Sequence, residues 1–360
     1  MPTGSGKTIT MIDDVQARFV SPHDRVIVVV APTIALTNQL SREFREYITN
    51  ANVMHVHSGG SGQFTTTSPP VIAKFCKISG HTLVFTSYHS LCRIIESNVA
   101  IDTIYFDEAH NSVKRQWFDD VKKISEIAGR CYYFTASPKH SLTDDKPGMN
   151  DETVYGDTIC EVPVTAMIRD EYIVPPALHV VTADSLVDGK YPADVDVTNL
   201  IKSVQDHDLN SVLISCKNTT QLFHLTNSER FKTFVNDNGY DYYSISSRYG
   251  CFINDKKVRR DEMFSHMRAN KGKFILFHIE TCCEGINLPK LDGIIVLKKL
   301  STIRMVQSIG RVLRLDKGKT EGKVIVPVYS KYMKRAEAPI MNMMERVYTL
   351  GQTPIEYIRR

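Results

Sequence analysis

The apolar and polar positions of this chain alternate between short, almost wholly apolar runs and longer stretches with helical spacing. Each run has four to six residues rich in branched and aromatic side chains, which is typical of a strand buried on both faces. A parallel sheet covered by helices on both sides has this organisation. The predicted strands are Val26–Ala31, Leu83–Thr86, Thr103–Asp107 and Tyr132–Thr135 in the first half, and Val212–Cys216, Tyr242–Ser246, Phe274–His278, Ile294–Leu297 and Lys323–Val328 in the second.

The strand pattern lapses between Ser137 and Pro176, where proline is frequent. Proline and glycine break regular structure, so this stretch is typical of a connection between domains. We therefore predict an α/β fold with two domains, each a parallel sheet with helices on both faces. The predicted segments are a first domain at 1–160, a connector at 161–177, a second domain at 178–335 and a short helical C-terminal tail at 336–360.

The composition fits two domains and excludes several other classes of protein. At 360 residues the chain is too long for one core, and 42% hydrophobic with 23% charged residues is typical of a soluble globular protein. The longest apolar run, Val26–Ala31, is far too short to cross a membrane. Eight cysteines without a CxxC pair indicate buried free thiols in a reducing, intracellular setting.

The chain opens with a glycine-rich sequence, Met1-Pro-Thr-Gly-Ser-Gly-Lys-Thr8, followed by a helical pattern. Closely spaced glycines allow several backbone N–H groups to turn inward onto a polyphosphate. A lysine here reaches the outer phosphates, and the hydroxyl after it can ligate Mg²⁺. We therefore predict ATP and Mg²⁺ as cofactors. The predicted nucleotide-binding residues of this loop are Gly4, Ser5, Gly6, Lys7 and Thr8, of which Thr8 also binds the metal.

This loop departs from the general pattern in two ways. The pattern has a glycine five positions before the Gly-Lys pair, where this chain has Met1. The loop normally follows a buried strand, and no residues precede it here that could form one. We therefore expect the N-terminus to be incomplete, and a chance glycine-rich turn remains an alternative for this motif alone.

A second candidate motif follows the predicted strand Thr103–Asp107. Asp107 and Glu108 stand at its end, and the carboxyl edge of an open parallel sheet is where ligands bind. There Asp107 can hold Mg²⁺ through water, and Glu108 can orient and deprotonate an attacking water. The alternative is an acidic turn that caps the next helix.

A third candidate motif is Gln307–Arg314 in the predicted second domain. Arg311 and Arg314 are three residues apart, so a helix would project both from one face. Two guanidinium groups directed at a γ-phosphate would stabilise the transition state as arginine fingers. An ordinary basic helix face is the alternative.

Together these motifs resemble those of superfamily 2 helicases, in the group of DEAH-type and type III restriction-like translocases. The resemblance spans nearly the whole chain and implies two RecA-like domains with ATP between them. Eight elements occur in the family's order. They are Gly4-Ser-Gly-Lys-Thr8, Ala31-Pro-Thr33, Phe85-Thr-Ser87, Asp107-Glu-Ala-His110, Thr135-Ala-Ser137, Leu213-Ile-Ser-Cys216, Thr281-Cys-Cys-Glu-Gly-Ile-Asn-Leu-Pro289 and Gln307–Arg314.

The resemblance also implies roles that the bare sequence leaves unassigned. Gln307 would position the attacking water or the γ-phosphate, and Gly285 and Asn287 would bind nucleotide. Thr135 and Ser137 would couple loss of the γ-phosphate to domain movement. Four residues would contact the backbone of one nucleic-acid strand, although helix capping is the alternative for each Ser or Thr alone. These residues are Pro32, Thr33, Thr86 and Ser87.

We therefore predict a nucleic-acid-stimulated ATPase that acts as a helicase or translocase, with DNA favoured over RNA by the resemblance alone. The 44 basic and 40 acidic residues give a net charge of +4, which permits nucleic-acid contact without requiring it. The basic stretch Lys256–Arg260 could line the nucleic-acid path or form a solvated helix face. Two alternatives remain, an ATP-dependent switch that binds nucleic acid without unwinding it, and an inactive helicase fragment. The region Ser301–Arg314 is also similar to helicases of phages and large DNA viruses.

Overall fold

The computed structural model describes residues 1–2, 4–143, 145–183, 193–279, 288, 290–297, 302–329 and 333–358. The chain forms two compact units, Met1–Val162 with Thr353–Arg360, and Pro163–Gln352. The first boundary lies close to the predicted one at residue 160. Most of the predicted connector belongs to the second unit, where the helix Val164–Arg169 buries two of its side chains.

The first unit contains a six-stranded sheet in which every neighbouring pair of strands is parallel. The strands are β1 (Val26–Ala31), β2 (Asn52–Val56), β3 (Phe64–Thr65), β4 (Thr82–Ser87), β5 (Thr103–Phe106) and β6 (Arg130–Tyr133), in the order β3-β2-β4-β1-β5-β6, and a separate short strand is β7 (Lys139–Ser141). The helices are α1 (Lys7–Phe19), α2 (Ile34–Tyr47), α3 (Pro69–Phe75), α4 (Leu91–Glu96), α5 (Arg115–Ile127) and α6 (Glu152–Tyr155), with 3₁₀ turns at Tyr88–Ser90 and Ala109–Asn111. The four strands predicted in this half are present, but β6 begins and ends two residues before the predicted Tyr132–Thr135.

Alternate side chains of β1 explain why both faces of this sheet are covered. Val28 and Val30 belong to one buried apolar cluster, whereas Ile27 and Val29 belong to another. Successive side chains of a strand point to opposite faces, so a strand buried on both sides is apolar throughout. The sequence prediction missed β2, because a histidine interrupts its apolar run. It also missed β3, whose two residues lie in a stretch rich in Gly, Ser and Thr and are too few for a periodic signal.

The second unit contains an eight-stranded sheet that is parallel except at one edge. The strands are β8 (Pro176–Ala183), β9 (Ser211–Ser215), β10 (Tyr240–Ser246), β11 (Gly250–Ile253), β12 (Lys256–Val258), β13 (Lys273–His278), β14 (Gly293–Val296) and β15 (Gly322–Tyr329), in the order β12-β11-β10-β13-β9-β14-β15-β8. The helices are α7 (Val164–Arg169), α8 (Ala193–Asp206), α9 (Thr219–Asn227), α10 (Glu229–Asn238), α11 (Arg260–Ala269), α12 (Thr302–Val312) and α13 (Met333–Met344), followed by a π-helical turn at Glu345–Thr349. The five strands predicted in this half are confirmed.

Two features differ from the predicted pattern. β11 and β12 form an antiparallel hairpin at the edge of the second sheet, and Asn254 and Asp255 in its turn have positive φ angles of 43° and 67°. The C-terminal tail is helical only as far as Thr349. It continues to a strand, β16 (Glu356–Ile358), which pairs in parallel with β7 and therefore groups with the first unit.

No helix within the described ranges is long and apolar enough to span a membrane. Cys76, Cys92, Cys131, Cys160 and Cys251 are free thiols among the described residues. Cys216 and Cys251 are buried as predicted, whereas Cys160 is exposed, so the prediction of buried thiols is wrong for Cys160.

Candidate nucleotide-binding site

The glycine-rich loop leads directly into α1. Gly4 and Gly6 have φ angles of 85° and 84°, a left-handed conformation that strains any residue with a side chain, and Gly6 is the N-cap of α1. Within the described residues no side chain caps this end of the helix, so its first N–H groups are available to an anion. The nitrogen of Met1 donates to the carbonyl oxygen of Thr135 at 3.0 Å, which places the start of the loop beside the residues that follow β6.

Lys7 folds back over this loop. Its Nζ atom lies 3.4 Å from the carbonyl oxygen of Met1 and 3.3 Å from that of Pro2, and the Ser5 N–H also donates to Pro2, at 3.3 Å. Hydrogen bonds from an ammonium group to a phosphate are shorter and stronger than these long contacts with neutral carbonyls. The ammonium group of Lys7 is therefore available to a stronger acceptor than these carbonyl oxygens.

Asp107 stands directly after β5 and is only 7% exposed. Its N–H donates to the carbonyl oxygen of Val30 at 2.8 Å, and its carbonyl oxygen accepts the hydroxyl of Tyr88 at 3.1 Å. The pKa of its carboxyl group is raised to about 7, chiefly by burial and then by the charge of Glu108, while the charge of Lys7 opposes the shift. A desolvated carboxylate is stabilised by a positive partner, so this group is suited to hold a cation.

Glu108 has a φ angle of 47°, a left-handed conformation that costs a residue with a side chain about 1–2 kcal/mol. The turn is held by Asn111, whose Nδ2 donates to the Glu108 carbonyl oxygen at 3.1 Å. The buried Oε2 atom of Glu108 lies 3.5 Å from Nδ1 of His110 and has no hydrogen-bond partner in the described part of the chain. Such an oxygen can accept a hydrogen bond, and then a proton, from a water molecule.

Thr135 connects the acidic motif with the glycine-rich loop. Its hydroxyl lies 3.1 Å from Nδ1 of His110 and accepts the N–H of Ser137, also at 3.1 Å. Its carbonyl oxygen accepts the nitrogen of Met1. Three motifs that are far apart in the sequence therefore meet in one hydrogen-bonded group. The Ser137 hydroxyl is buried beside this group and has no hydrogen-bond partner among the residues described.

The residues present fit a Mg²⁺ ion that binds together with a nucleotide. Across the described ranges, no group of three or more His, Cys, Asp or Glu side chains could hold a metal ion. Mg²⁺ is commonly bound by one or two carboxylates with substrate phosphates and waters. Asp107 supplies a desolvated carboxylate, and Thr8 lies in the first turn of α1.

Two of the predicted nucleic-acid contacts lie where α2 begins. Thr33 is exposed and is the N-cap of α2, since its hydroxyl accepts the N–H of Leu36 at 3.2 Å. Pro32, directly before it, is half-buried. Thr33 therefore caps the helix, which is the alternative role predicted for it. Because Thr33 is exposed, it is also accessible to a ligand.

The other two predicted contacts are enclosed. Thr86 is fully buried, and its hydroxyl donates to the carbonyl oxygen of Val56 at 2.9 Å. This hydroxyl links β4 to β2, so the predicted direct contact of Thr86 with a nucleic-acid strand is inconsistent with its position. Ser87 is 5% exposed and donates to the hydroxyl of Ser90 at 3.3 Å.

In the second unit, Gln307 and Arg311 lie on α12 and are 4% and 7% exposed. The buried Nε2 atom of Gln307 has no hydrogen-bond partner within the described residues. Arg314 lies beyond the end of α12 and forms an isolated β-bridge with Ile173. The prediction that both arginines project from one helical face is therefore wrong for Arg314. The predicted residues Gly285 and Asn287 lie outside the described residues.

Lys319 lies at the C-terminal end of α12. Its Nζ atom donates to the carbonyl oxygens of Leu291, Val312 and Arg314, the last at 3.4 Å. An ammonium group in this place satisfies carbonyl groups that a helix leaves without partners at its C-terminus. Burial lowers the pKa of Lys319 to about 8, and nearby carboxylates oppose this shift. Sequence reasoning missed this residue, because its partners are fixed only by the fold.

Sequence reasoning also missed a buried polar cluster beside β2. His55 and His57 are each 1% exposed. Nδ1 of His55 lies 3.0 Å from Oδ1 of Asn38 and its Nε2 lies 2.8 Å from the hydroxyl of Ser41, while the Gly59 N–H donates to His57 at 3.2 Å. The pKa of His55 is lowered to about 4, chiefly by burial and then by His57. The His-x-His spacing in a strand, which places both rings on one face, is the signal that could have revealed this cluster.

Comparison with known proteins gives one family match and several structural likenesses. Residues 1–140 match the family described as Type III restriction enzyme, res subunit. No curated protein matches the chain. Among solved structures, the ATP-dependent Type ISP restriction-modification enzyme LlaBIII bound to DNA aligns with a TM-score of 0.76 and 17% identity, over 99% of this chain and 29% of that one.

Two further structures extend this comparison. The DUF1998 helicase MrfA bound to DNA and AMPPNP aligns with a TM-score of 0.61 and 14% identity, over 99% of this chain and 48% of that one. A DEAD box protein from the hyperthermophile Methanococcus jannaschii aligns with a TM-score of 0.53 and 15% identity, over 100% of this chain and 87% of that one. The chain therefore spans less than half the length of the first two proteins. At these identities the likeness establishes the fold, two RecA-like domains.

Proposed function

We propose that this chain, which has the two-domain fold of superfamily 2 helicases, is an ATP- and Mg²⁺-dependent motor that moves along nucleic acid. The observation that carries the proposal is the single hydrogen-bonded group in which the glycine-rich loop, His110 of the acidic motif and Thr135 meet. A polyphosphate bound by the loop would act directly on residues beyond β6 through this group. Thr135 and Ser137 are therefore proposed to transmit the presence or loss of the γ-phosphate.

Hydrolysis would use the residues of the loop and the acidic motif. Lys7 and the N–H groups of the loop, at Gly4, Ser5 and Gly6, would hold the outer phosphates. Asp107 and Thr8 would hold Mg²⁺, which neutralises negative charge on the phosphates when bound. Glu108 would take a proton from the attacking water. The water oxygen would bond to the γ-phosphorus as the bond between that phosphorus and the ADP oxygen breaks.

The second unit is proposed to contribute five residues to the same reaction. Gln307 would orient the water or the γ-phosphate, and its buried amide, with Nε2 lacking a partner within the described residues, supports this role. Arg311 and Arg314 would stabilise charge in the transition state. Gly285 and Asn287 keep their proposed part in nucleotide binding.

The test of the catalytic assignment is Glu108→Gln, with Glu126→Gln on the exposed side of α5 as a matched control. We expect Glu108→Gln to lower nucleic-acid-stimulated ATP hydrolysis by about 10²–10⁴-fold while binding of a fluorescent ATP analogue persists. Unchanged hydrolysis in Glu108→Gln would show that another group is the base. Strand displacement measured beside hydrolysis separates an unwinding motor from a switch that only binds.

We propose DNA in preference to RNA as the substrate, with Pro32, Thr33 and Ser87 among the contacts. The LlaBIII and MrfA structures described above are bound to DNA. Stimulation of ATP hydrolysis by DNA and RNA strands of equal length and sequence measures the preference directly. Equal or greater stimulation by RNA would contradict it.

A further inference from the structure

The turn between β10 and β11, together with β12 and the residue after it, carries a surface that the proposed ATPase does not use. This surface, the basic turn, consists of Arg248, Tyr249, Lys257 and Arg259. Residues 247–260 contain five basic side chains and one acidic side chain, an excess equal to the net charge of +4 of the whole chain. Residues 247–260 are therefore basic as a group, and the acidic residues Asp261 and Glu262 follow them directly.

The pairing of the strands places the basic turn at the carboxyl edge of the second sheet. β10 runs parallel to β13, which runs parallel to β9, and the last residue of β10, Ser246, pairs with Gly250 of β11. β12 returns antiparallel to β11, so Val258 pairs with Cys251 and Arg259 follows at the same edge. The carboxyl edge of parallel strands is where ligands bind in open sheets.

The opposite end of the hairpin is anchored. Nζ of Lys232 on α10 lies 2.8 Å from the carboxylate of Asp255 in the hairpin turn. The Asn254 N–H donates to the carbonyl oxygen of Tyr242 at 2.9 Å, and the Tyr242 N–H donates to Oδ1 of Asn254 at 2.8 Å. The hairpin therefore lies along the sheet with its turn fixed, and it holds the basic turn in one place.

Tyr249 is exposed but held in position. Tyr249 is 37% exposed, and its ring packs edge-on against Phe223 of α9 at 4.9 Å between centroids, while the guanidinium of Arg248 lies over the ring, 5.3 Å from its centroid. Within the described part of the chain, neither Arg248 nor Lys257 has a carboxylate within 4.0 Å. Arg259 differs, because it pairs with Asp261 at 2.7 Å. Among the described residues, the basic turn thus combines two cations that have no carboxylate within 4.0 Å with an aromatic ring held in place by Phe223 and Arg248.

We propose that the basic turn binds a single strand of nucleic acid, with Tyr249 stacked on a base and Arg248 and Lys257 in contact with phosphates. The inference rests on the proposed function and assigns it a binding surface on the second unit. A polyanion without bases would use the cations and leave the fixed ring unused. A single strand fits better than a duplex, because its unstacked bases can reach an aromatic side chain.

The test measures binding of a fluorescein-labelled oligodeoxythymidylate to the full chain by fluorescence anisotropy over a range of salt concentrations. Tyr249→Ala should raise Kd about 10-fold with an unchanged salt dependence, and Tyr249→Phe should restore binding. Lys257→Ala should weaken binding and lower the slope of log K against log salt by about 0.7, the value for one phosphate contact with a single strand. The matched control is Lys271→Ala, since Lys271 is exposed beside the amino end of β13 at the opposite edge, and it should leave the slope unchanged.

The possible outcomes separate this inference from the proposed function. A full chain that does not bind the oligonucleotide at all would overturn both. Binding by the full chain that is unaffected by Tyr249→Ala and Lys257→Ala would overturn the inference alone. Equal losses in Lys257→Ala and Lys271→Ala would also overturn it, because the attraction would then be diffuse. Circular dichroism melting of each variant checks that the fold is intact.

Discussion

Replacing Asp107 with Asn is expected to stabilise the first unit at neutral and alkaline pH while abolishing ATP hydrolysis. Asp107 is 7% exposed, and its pKa is raised from 3.8 to about 7, chiefly by burial. The folded state therefore binds the proton more tightly than the unfolded state does. As pH rises between these two values, the buried charge progressively destabilises the fold.

The raised pKa of Asp107 determines how much unfolding free energy is lost when its carboxyl group is charged. A shift of about three pKa units corresponds to roughly 4 kcal/mol of unfolding free energy lost above about pH 7, and to none below about pH 4, where both states are protonated. A buried Asn amide also needs hydrogen-bond partners, which offsets part of the gain. We therefore expect Asp107→Asn to raise the unfolding free energy by about 1–3 kcal/mol near pH 8.

The assay is urea unfolding followed by tryptophan fluorescence at about pH 8 and about pH 5. Trp117 is the single tryptophan, and it stacks on Tyr88 in the first unit with 5.3 Å between ring centroids. The control is Asp102→Asn. Burial acts to raise the pKa of Asp102, but the Thr103 hydroxyl and the charge of Arg25 outweigh it, and the net pKa is lowered. Stability from this group is present at neutral pH and is lost as pH falls, so the control should destabilise near pH 8.

The two substitutions should therefore have opposite signs near pH 8. If Asp107→Asn is neutral or destabilising there while Asp102→Asn destabilises as expected, Asp107 is not a desolvated carboxylate. The argument that it holds Mg²⁺ would then fail.

Three further predictions concern stability and pH. Because the pKa of His55 is lowered from 6.5 to about 4, acidification through this range should destabilise the first unit by up to about 3 kcal/mol, and His55→Gln should flatten that part of the urea-unfolding profile. Lys319→Met removes the donor that holds the end of α12, so it should lower ATP turnover more than ATP affinity. It should also remove the decline in turnover expected above about pH 8, where Lys319 of the unsubstituted chain loses its proton. Gly322→Ala would place a Cβ atom 2.8 Å from the carbonyl oxygen of Val312, so its melting temperature should fall, whereas Gly60→Ala meets no atom within 4 Å and should change little.

The sequence predicts most of the strands for physical reasons that are local, and the nucleotide site stays a prediction that rests on local features. A strand buried on both faces is apolar along its whole length, as β1 is, and the run is visible without knowledge of its neighbours. The glycines at 4 and 6 are required by positive φ angles, which depend only on the loop itself. Asp107 and Glu108 follow a predicted strand, so their place at a sheet edge follows from the strand.

The predictions that are wrong depend on contacts between distant residues. The Thr86 hydroxyl donates to the carbonyl oxygen of Val56. Val56 lies on β2, a strand that the sequence pattern does not reveal. The end of α12 before Arg314 depends on Lys319 and on the bridge to Ile173. The hairpin that carries the basic turn consists of strands of four and three residues, too short for a periodic signal.

The measurement that tests the central claim most directly is ATP hydrolysis by this chain in the presence of Mg²⁺, with and without single-stranded DNA or RNA, beside Lys7→Ala. Lys7 is chosen because, among the described residues, its ammonium group donates to loop carbonyls alone, at 3.3 and 3.4 Å, so its loss should spare the fold. We predict turnover that nucleic acid stimulates and that Lys7→Ala abolishes. A folded chain without turnover, or turnover that neither nucleic acid nor Lys7→Ala alters, would contradict the account.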